Sequence, residues 1–402
     1  MKETEVYDYI IVGAGAAGLM LGSAMALDPY FSSKKILLLD PDPKDKNDRS
    51  WCFWSKEEKE AGPWQALQPH YWSHIGVSHQ NQIVDHAIAP YRYTLVEAAP
   101  FYALMKKRLS AAPHISLKQE AVSQVQERSL GLMAVSTEAR TYLSRQVFDS
   151  RFNYKPLLQQ QQYPVLQQHF IGWFVKSNKA VFNPGQAVFM DFSVPQKGNT
   201  RFMYLLPSSP TEALVEYTLF SPTRLETQEY EKAIEDYLSN LGLGTNDYEV
   251  QRTEAGSIPM SCYPFEQENH AHYLKIGTAG GWSKPSTGYT FQNSHKKIQA
   301  LIPYLKTGKP LHKFHKRNRF WWYDRILLRV LSQDNSQGKP IFEGLFKKRS
   351  APLILKFLAE DTHFLQELYI MSAAPLWRFT KAFFRVMAQG FLPQRKKNFF
   401  GV

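Results

Sequence analysis

Three groups of residues in the 402-residue sequence could do chemistry by their type and spacing. Gly13, Gly15 and Gly18 follow directly on the β-branched and aromatic run Tyr7–Val12, and a helix-compatible run, Leu19–Leu27, comes after them. In a strand–turn–helix unit the first glycine makes the tight turn, the second lets a pyrophosphate approach the backbone, and the third lets helix pack on strand. The helix N-terminus then offers unpaired N–H groups to the phosphates. A second strand, Lys35–Leu39, ends in Asp40, which is placed to accept hydrogen bonds from a ribose 2′-hydroxyl. Together these make a dinucleotide site, without choosing between FAD and NAD. The second group is Gly277 and Gly280, then Pro285, Ser286, Thr287 and Gly288, ahead of a helical run from Phe291 to Leu301. It reads either as a glycine-rich loop closing a sheet edge or as a second helix N-terminus open to a ligand. In flavoproteins such a terminus stabilises negative charge near N1 of the reduced ring.

The third group is a pair of acids on apolar strands, Asp191 in Ala187–Val194 and Glu216 in Ala213–Phe220. Glu216 shares a strand face with Leu214 and Thr218. An acid there is either turned outward to water or desolvated, with its pKa raised. His169, His270 and His272 come without HExxH or paired Cys ligands, so no metal site is expected, and no GxSxG or Cys–His nucleophile signature is present.

These residues must be held by elements that the pattern supplies. Length and a 44% hydrophobic content allow two or three packed layers, and they exclude a disordered chain, a collagen or a coiled coil. Gly198-Asn199 and Pro207–Pro210 punctuate Ala187–Val194, Arg201–Leu206 and Ala213–Phe220, which read as neighbouring antiparallel strands walling an apolar cavity. Two cysteines make no disulfide framework, so a reducing compartment is expected. Ile10–Leu27 lacks charge but contains four glycines, and its leader is acidic on balance; neither a membrane span nor a secretory signal is expected.

The formal net charge of +12 is uneven. Residues 301–402 carry 19 Lys and Arg against 6 Asp and Glu, while residues 1–300 carry 29 against 30. The basic quarter holds His312–Arg319 beside Phe320–Tyr323. Further on, Arg378, Lys381 and Arg385 are spaced to share one helix face, with Leu376, Phe379, Phe383 and Met387 on another. Arg395, Lys396, Lys397, Phe399 and Phe400 close the chain. Each helix by itself reads as docked on the core with a solvated Lys/Arg face; taken together, the features resemble the footprint of an anionic membrane surface, with nucleic acid the competing account.

Asp48-Arg49-Ser50-Trp51-Cys52-Phe53-Trp54 resembles the signature of the lycopene cyclase family of FAD-dependent flavoproteins. Phe148–Arg151, Gln168–Trp173, Phe189–Phe192, Leu214–Thr218, Gly277–Gly280 and Pro285–Tyr289 resemble further family segments in the same order. The resemblance implies an α/β fold: a Rossmann-like, doubly wound FAD domain of flavin hydroxylase type from residues 1–150 and 250–300. An inserted antiparallel β-sheet substrate region at 151–249 and a helical C-terminal cap at 301–402 complete it. It further implies FAD bound through Gly13, Gly15, Gly18, Asp40, Arg49, Asp149, Gly277, Gly280, Pro285, Thr287 and Gly288, with NAD(P)H keeping it reduced. The implied reaction is the non-redox cyclisation of the linear ends of lycopene to β-ionone rings, by a cytoplasmic enzyme peripheral to the membrane. Glu216 is the implied acid. The base is Glu216 carboxylate or reduced flavin, with Asp191 a third candidate. One departure is Tyr217, where the family usually has a second acid. A flavin hydroxylase, a geranylgeranyl-reductase-like enzyme and a non-catalytic flavin-bearing surface protein are the alternatives. Hydroxylases usually have Asp-Gly where this chain has Asp149-Ser150.

Overall fold

The computed structural model describes residues 5–56 and 64–390. Seven strands build the first sheet: β1 Val6–Val12, β2 Ile36–Leu39, β8 Ile115–Lys118, β9 Val122–Glu127, β10 Met133–Thr137, β11 Thr141–Asp149 and β17 Tyr273–Lys275. Strands β8, β2, β1, β11 and β17 are parallel, and β10 and β9 extend the sheet antiparallel. The near-continuous apolar sequence of β1 and β2 fits strands covered on both faces. Helices α1 (Ala16–Leu27), α2 (Ala98–Ser110) and α5 (Phe291–Leu305) pack on one face with Ile11, Leu38 and Phe148. On the other, Ile10, Val12 and Leu39 meet Met133, Val135 and Tyr142.

A second seven-stranded sheet has the order β16, β12, β15, β14, β13, β5, β6. Its strands are β5 His74–His79, β6 Gln82–Ala87, β12 Leu166–Ser177, β13 Gln186–Asp191, β14 Thr200–Pro207, β15 Glu212–Ser221 and β16 Tyr248–Met260. All neighbours pair antiparallel except β13 with β5. The pairing crosses the expected boundaries at two places. His74–Ala87, from within the first segment, completes this sheet, and β16 belongs to it because it pairs with β12 over nearly the whole length of both strands. Helix α4 (Thr227–Asn240) covers one face with Val215, Tyr217 and Leu219; α3 (Lys155–Leu158) is a single turn. Strands β3 (Ser50–Lys56), β7 (Tyr91–Glu97) and β4 (His70–Trp72) form a small antiparallel sheet. The cap consists of α6 Arg319–Gln333, α7 Gly338–Lys348, α8 Ala351–Leu358, α9 Phe364–Met371 and α10 Leu376–Gly390. Leu328, Ile341, Phe346 and Ile354 of this cap share one core with Phe189, Phe202 and Phe220 of the large sheet.

Candidate functional site

A cavity of about 650 Å³ lies where the two large sheets, the small sheet and the cap meet. Its polar wall comes from Gly15, Ala16 and Ala17 at the start of α1, and from Thr287 to Phe291 and Ser294 at the start of α5. Two helix N-termini therefore open on one space, with N–H groups and positive dipole ends toward it. Gly13 turns with φ +94°, and a Cβ there would lie 2.1 Å from Ser150 Oγ. A Cβ on Gly18 would meet the Gly13 carbonyl oxygen at 1.9 Å, so helix and strand touch as closely as the spacing demands. A Cβ on Gly15 would meet nothing within 4 Å, which leaves open space above the backbone. Thr287 Oγ1, Ser294 Oγ and Gln168 Oε1 are buried at this wall with no hydrogen-bond partner. Buried polar atoms ordinarily have partners, so this wall suits a ligand with hydrogen-bonding edges, as a flavin has.

The opposite wall is apolar. Phe189, Met190, Phe202 and Phe220 project from the large sheet, and Phe342, Phe346 and Ile354 come from the cap. Tyr93, Tyr204 and Tyr289 also line the cavity, their hydroxyls meeting one another: Tyr93 bonds both Tyr204 and Tyr289, the latter at 2.9 Å.

Two carboxyl groups stand in this apolar space. Alternation along β15 turns Leu214 and Glu216 into the cavity and sends Val215 and Tyr217 to the α4 side. There Tyr217 accepts from Arg201 at 3.3 Å. Glu216 is only 6% exposed. Desolvation, then the charge of Glu254, push its pKa up to about 8, against a smaller opposing hydrogen bond from the Thr218 hydroxyl. At neutral pH it is an un-ionised acid. Glu254, 8% exposed, is the second. The register pairs Gly172 of β12 with Glu216 on one side and Glu254 on the other, so the two acids flank a residue without a side chain. Ser50 Oγ lies 2.8 and 3.0 Å from the two Glu254 oxygens. Burial raises the Glu254 pKa, while that hydroxyl and the Arg252 guanidinium oppose the rise.

Sequence reasoning missed Glu254. Its run Gln251-Arg252-Thr253-Glu254 carries polar side chains on both faces and reads as a solvated strand; a lone glycine in the neighbouring strand was the available signal.

Of the residues singled out from the sequence, Gly15, Arg49, Glu216, Gly277, Thr287 and Gly288 reach the cavity wall. Gly13, Gly18, Gly280 and Pro285 lie behind it as packing and turn residues. Asp40 accepts from the Ala14 N–H at 2.6 Å and the Asp42 N–H at 2.8 Å, at the end of β2 beside the glycine turn. Asp149 is buried under the wall, bonded to Arg151 at 2.7 Å and to the Tyr273 hydroxyl at 3.0 Å. Asp191 is not at the cavity. The irregular register of β13 beside β14 and β5 carries its carboxylate to the α4 side, where it accepts from the Tyr237 hydroxyl at 3.0 Å. Among the described residues no group of three or more His, Cys, Asp or Glu is arranged to hold a metal.

The cap's surface differs from the expected division into a basic and an apolar face. On α10, Ala382 and Val386 are buried and Phe379 packs on the core, while Arg378 pairs with Asp334 at 2.9 Å. Trp377 (73% exposed), Phe383 and Phe384 project outward with Lys381, whose ammonium lies 5.7 Å from the Trp377 ring. On α9, Phe364, Leu365, Leu368 and Tyr369 are exposed as well. Arg395, Lys396, Lys397, Phe399 and Phe400 lie outside the described residues. No helix among those described is long and apolar enough to cross a membrane.

Comparison with known proteins gives concordant results. The family described as "Lycopene cyclase protein" matches residues 8–388. A lycopene beta-cyclase of Pantoea ananas is 26% identical over 293 residues, 71% of this chain and 71% of that protein. Among solved structures, a geranylgeranyl bacteriochlorophyll reductase-like protein from Thermoplasma acidophilum has a TM-score of 0.64 at 11% identity, covering 94% of this chain and 98% of its own. The halogenase PltM in complex with phloroglucinol and FAD has a TM-score of 0.57 at 12% identity, covering 93% and 85%. The chain thus shares its α/β fold with the reductase-like protein, with p-nitrophenol 4-monooxygenase PnpA and with tryptophan halogenase and PltM.

Proposed function

Since the chain belongs to the lycopene cyclase family, we propose that it closes the linear ends of lycopene into β-ionone rings, giving γ- and β-carotene without net oxidation. The observation that carries this reading is Glu216, a carboxyl group buried in an apolar cavity, where desolvation pushes its pKa up to about 8. Protonating an isolated trisubstituted alkene produces a tertiary carbocation, so it needs an acid that is still protonated at the working pH and is kept away from water. Burial supplies that condition: Glu216 at neutral pH still has a proton to give. The neighbouring double bond then attacks the cation and closes the ring, and a proton leaves ring carbon C6. The faces of Phe189, Phe202 and Tyr204 offer cation–π stabilisation along the same wall.

FAD would be held by the two helix N-termini: Gly13, Gly15 and Gly18 at the pyrophosphate, Asp40 and Arg49 near the ribose and phosphates, and Gly277, Thr287 and Gly288 at the ring. Asp149, Gly280 and Pro285 act from behind as positioning residues. Once bound, reduced FAD, kept reduced by NAD(P)H, would supply negative charge that favours a nearby carbocation. The exposed aromatic residues of α9 and α10, in a basic cap, would seat the enzyme on an anionic cytoplasmic membrane surface, from which a water-insoluble polyene enters.

The test is anaerobic incubation of the wild type and Glu216→Gln with lycopene and reduced FAD, followed by chromatography and mass. Cyclisation leaves the mass unchanged, whereas a reductase adds hydrogen. The variant should lose ring formation by at least about a hundredfold with normal flavin content. Persistent cyclisation would remove Glu216 from the acid role.

A further inference from the structure

Resting on the cyclase reading, we propose that Glu254 is the base that removes the C6 proton, and that it returns this proton to Glu216 across Gly172. Four residues form one cross-strand row on the cavity face: Tyr204 of β14, Glu216 of β15, Gly172 of β12 and Glu254 of β16. Adjacent strands are about 4.8 Å apart, so two acids two strands apart have backbones about 10 Å from each other. Two glutamate side chains span such a gap only if nothing fills it. Gly172 adds no side chain of its own to that gap, and Leu214 and Glu216 close in over it: a Cβ there would sit 2.9 Å from Leu214 Cδ1 and 3.4 Å from Glu216 Cβ.

The surroundings separate the roles of the two acids. Glu216 accepts from the Thr218 hydroxyl on its own strand, with Leu214 and Tyr204 beside it at the cavity wall. Glu254 is bonded at both oxygens by Ser50 and lies near Arg252, which itself pairs with Glu97 at 2.8 Å. A buried hydroxyl donated to a carboxylate favours the ionised form, which is what a base requires. Two like acids in one dry space do not both ionise readily, so the pair holds one proton at neutral pH. Of the two, Glu216 is the better holder of it.

The cycle balances. Glu216 gives its proton to the terminal double bond. The π electrons of the next double bond form the ring bond and leave the positive charge beside C6. The C6–H electron pair becomes the ring double bond as the proton passes to a Glu254 oxygen. Transfer of that proton to Glu216 restores both groups, with no oxidant or reductant consumed. Ser50 acquires a role too, as the positioning residue of Glu254, which ties the Asp48–Trp54 segment to the chemistry.

The experiment compares wild type, Glu254→Gln, Glu254→Asp and Ser50→Ala on lycopene with reduced FAD, scoring flavin content, rate and ring type. Glu254→Gln should retain flavin and lose β-ring formation by about a hundredfold or more. Its residual products should shift toward ε- or γ-rings, in which the proton leaves C4 or the methyl group instead. Glu254→Asp should restore β-rings in part. Ser50→Ala should raise the acid limb of the kcat/KM profile by about one to two pH units, because the carboxylate loses a charge-assisted hydrogen bond. Wild-type β-ring rates in Glu254→Gln would overturn the assignment, as would an unmoved acid limb in Ser50→Ala. A wild type that forms no ring at all would overturn the cyclase reading itself.

Discussion

Replacing Glu216 by Gln should stabilise the folded protein at neutral and alkaline pH, although it removes the proposed acid. The carboxyl has an ordinary pKa of 4.5 in the unfolded chain and is pushed up to about 8 in the folded one. For an acid shifted upward the penalty is absent below the unfolded pKa and grows as pH rises between the two values. Above the folded pKa it is constant. At about 1.4 kcal/mol per unit, the full penalty is roughly 5 kcal/mol. The same linkage puts it at about 1 kcal/mol near pH 5 and about 4 kcal/mol near pH 8. Glutamine has no proton to lose, so its own burial cost is the same at both pH values. The stability gap between Glu216→Gln and wild type should therefore widen by about 3 kcal/mol between those pH values, in favour of the variant. Urea unfolding of both proteins, flavin-free, at the two pH values measures it directly. A gap that stays constant within about 1 kcal/mol would mean that Glu216 ionises freely in the fold, and the acid role would fall with it.

Two more outcomes follow from features away from the reacting carbon. Lys284 is fully buried between Asp324 and Glu360, 3.0 Å from each, and joins the loop ahead of α5 to the cap. Lys284→Met leaves Asp324 without its cation and should cost about 3–5 kcal/mol by urea unfolding, of which Lys284→Met with Asp324→Leu recovers part. On the outer surface, Trp377→Ser with Phe384→Ser removes two exposed rings of α10. This variant should sediment with anionic vesicles several-fold less well and turn over vesicle-borne lycopene more slowly, with detergent-dispersed lycopene restoring the rate. Unchanged sedimentation would show that α10 does not face the membrane.

The first sheet was legible because its signals are local. Tyr7–Val12 is apolar enough for a strand covered on both faces, and the glycines beside it have steric duties that hold within a few residues. The helix after Thr290 and the three strands between residues 186 and 221 were legible for the same reason: their patterns need no distant partner. What could not be read was partnership. His74–Ala87 gives no local sign that it joins a sheet made mostly of residues 166–260. Asp191 is a weaker candidate than Glu216 on a similar apolar strand, and the irregular pairing of β13 turns it toward Tyr237. Helix α10 looked divided into a charged and an apolar face; its docking instead uses the small residue Ala382 beside Phe379 and Val386, and leaves larger rings in solvent.

The carboxylate pair shows the physical reason for that limit. Neighbouring residues on a strand point to opposite faces, so an acid at position 217 would have faced α4 rather than the cavity, and could not have shared a proton with Glu216. An acid able to share one must come from another strand at the same level. That level is set by register, which is fixed by hydrogen bonds between segments far apart in sequence: Gly172 is 44 residues from Glu216 and 82 from Glu254. A slip of one residue in either pairing would turn one acid out of the cavity. The chemistry proposed for this site thus depends on three strands in exact alignment, with a glycine in the middle one. Gly172→Ala is the sharpest probe of that dependence. The added methyl must displace Leu214 and stands between the two acids, so proton return should slow while Glu216 still protonates the alkene.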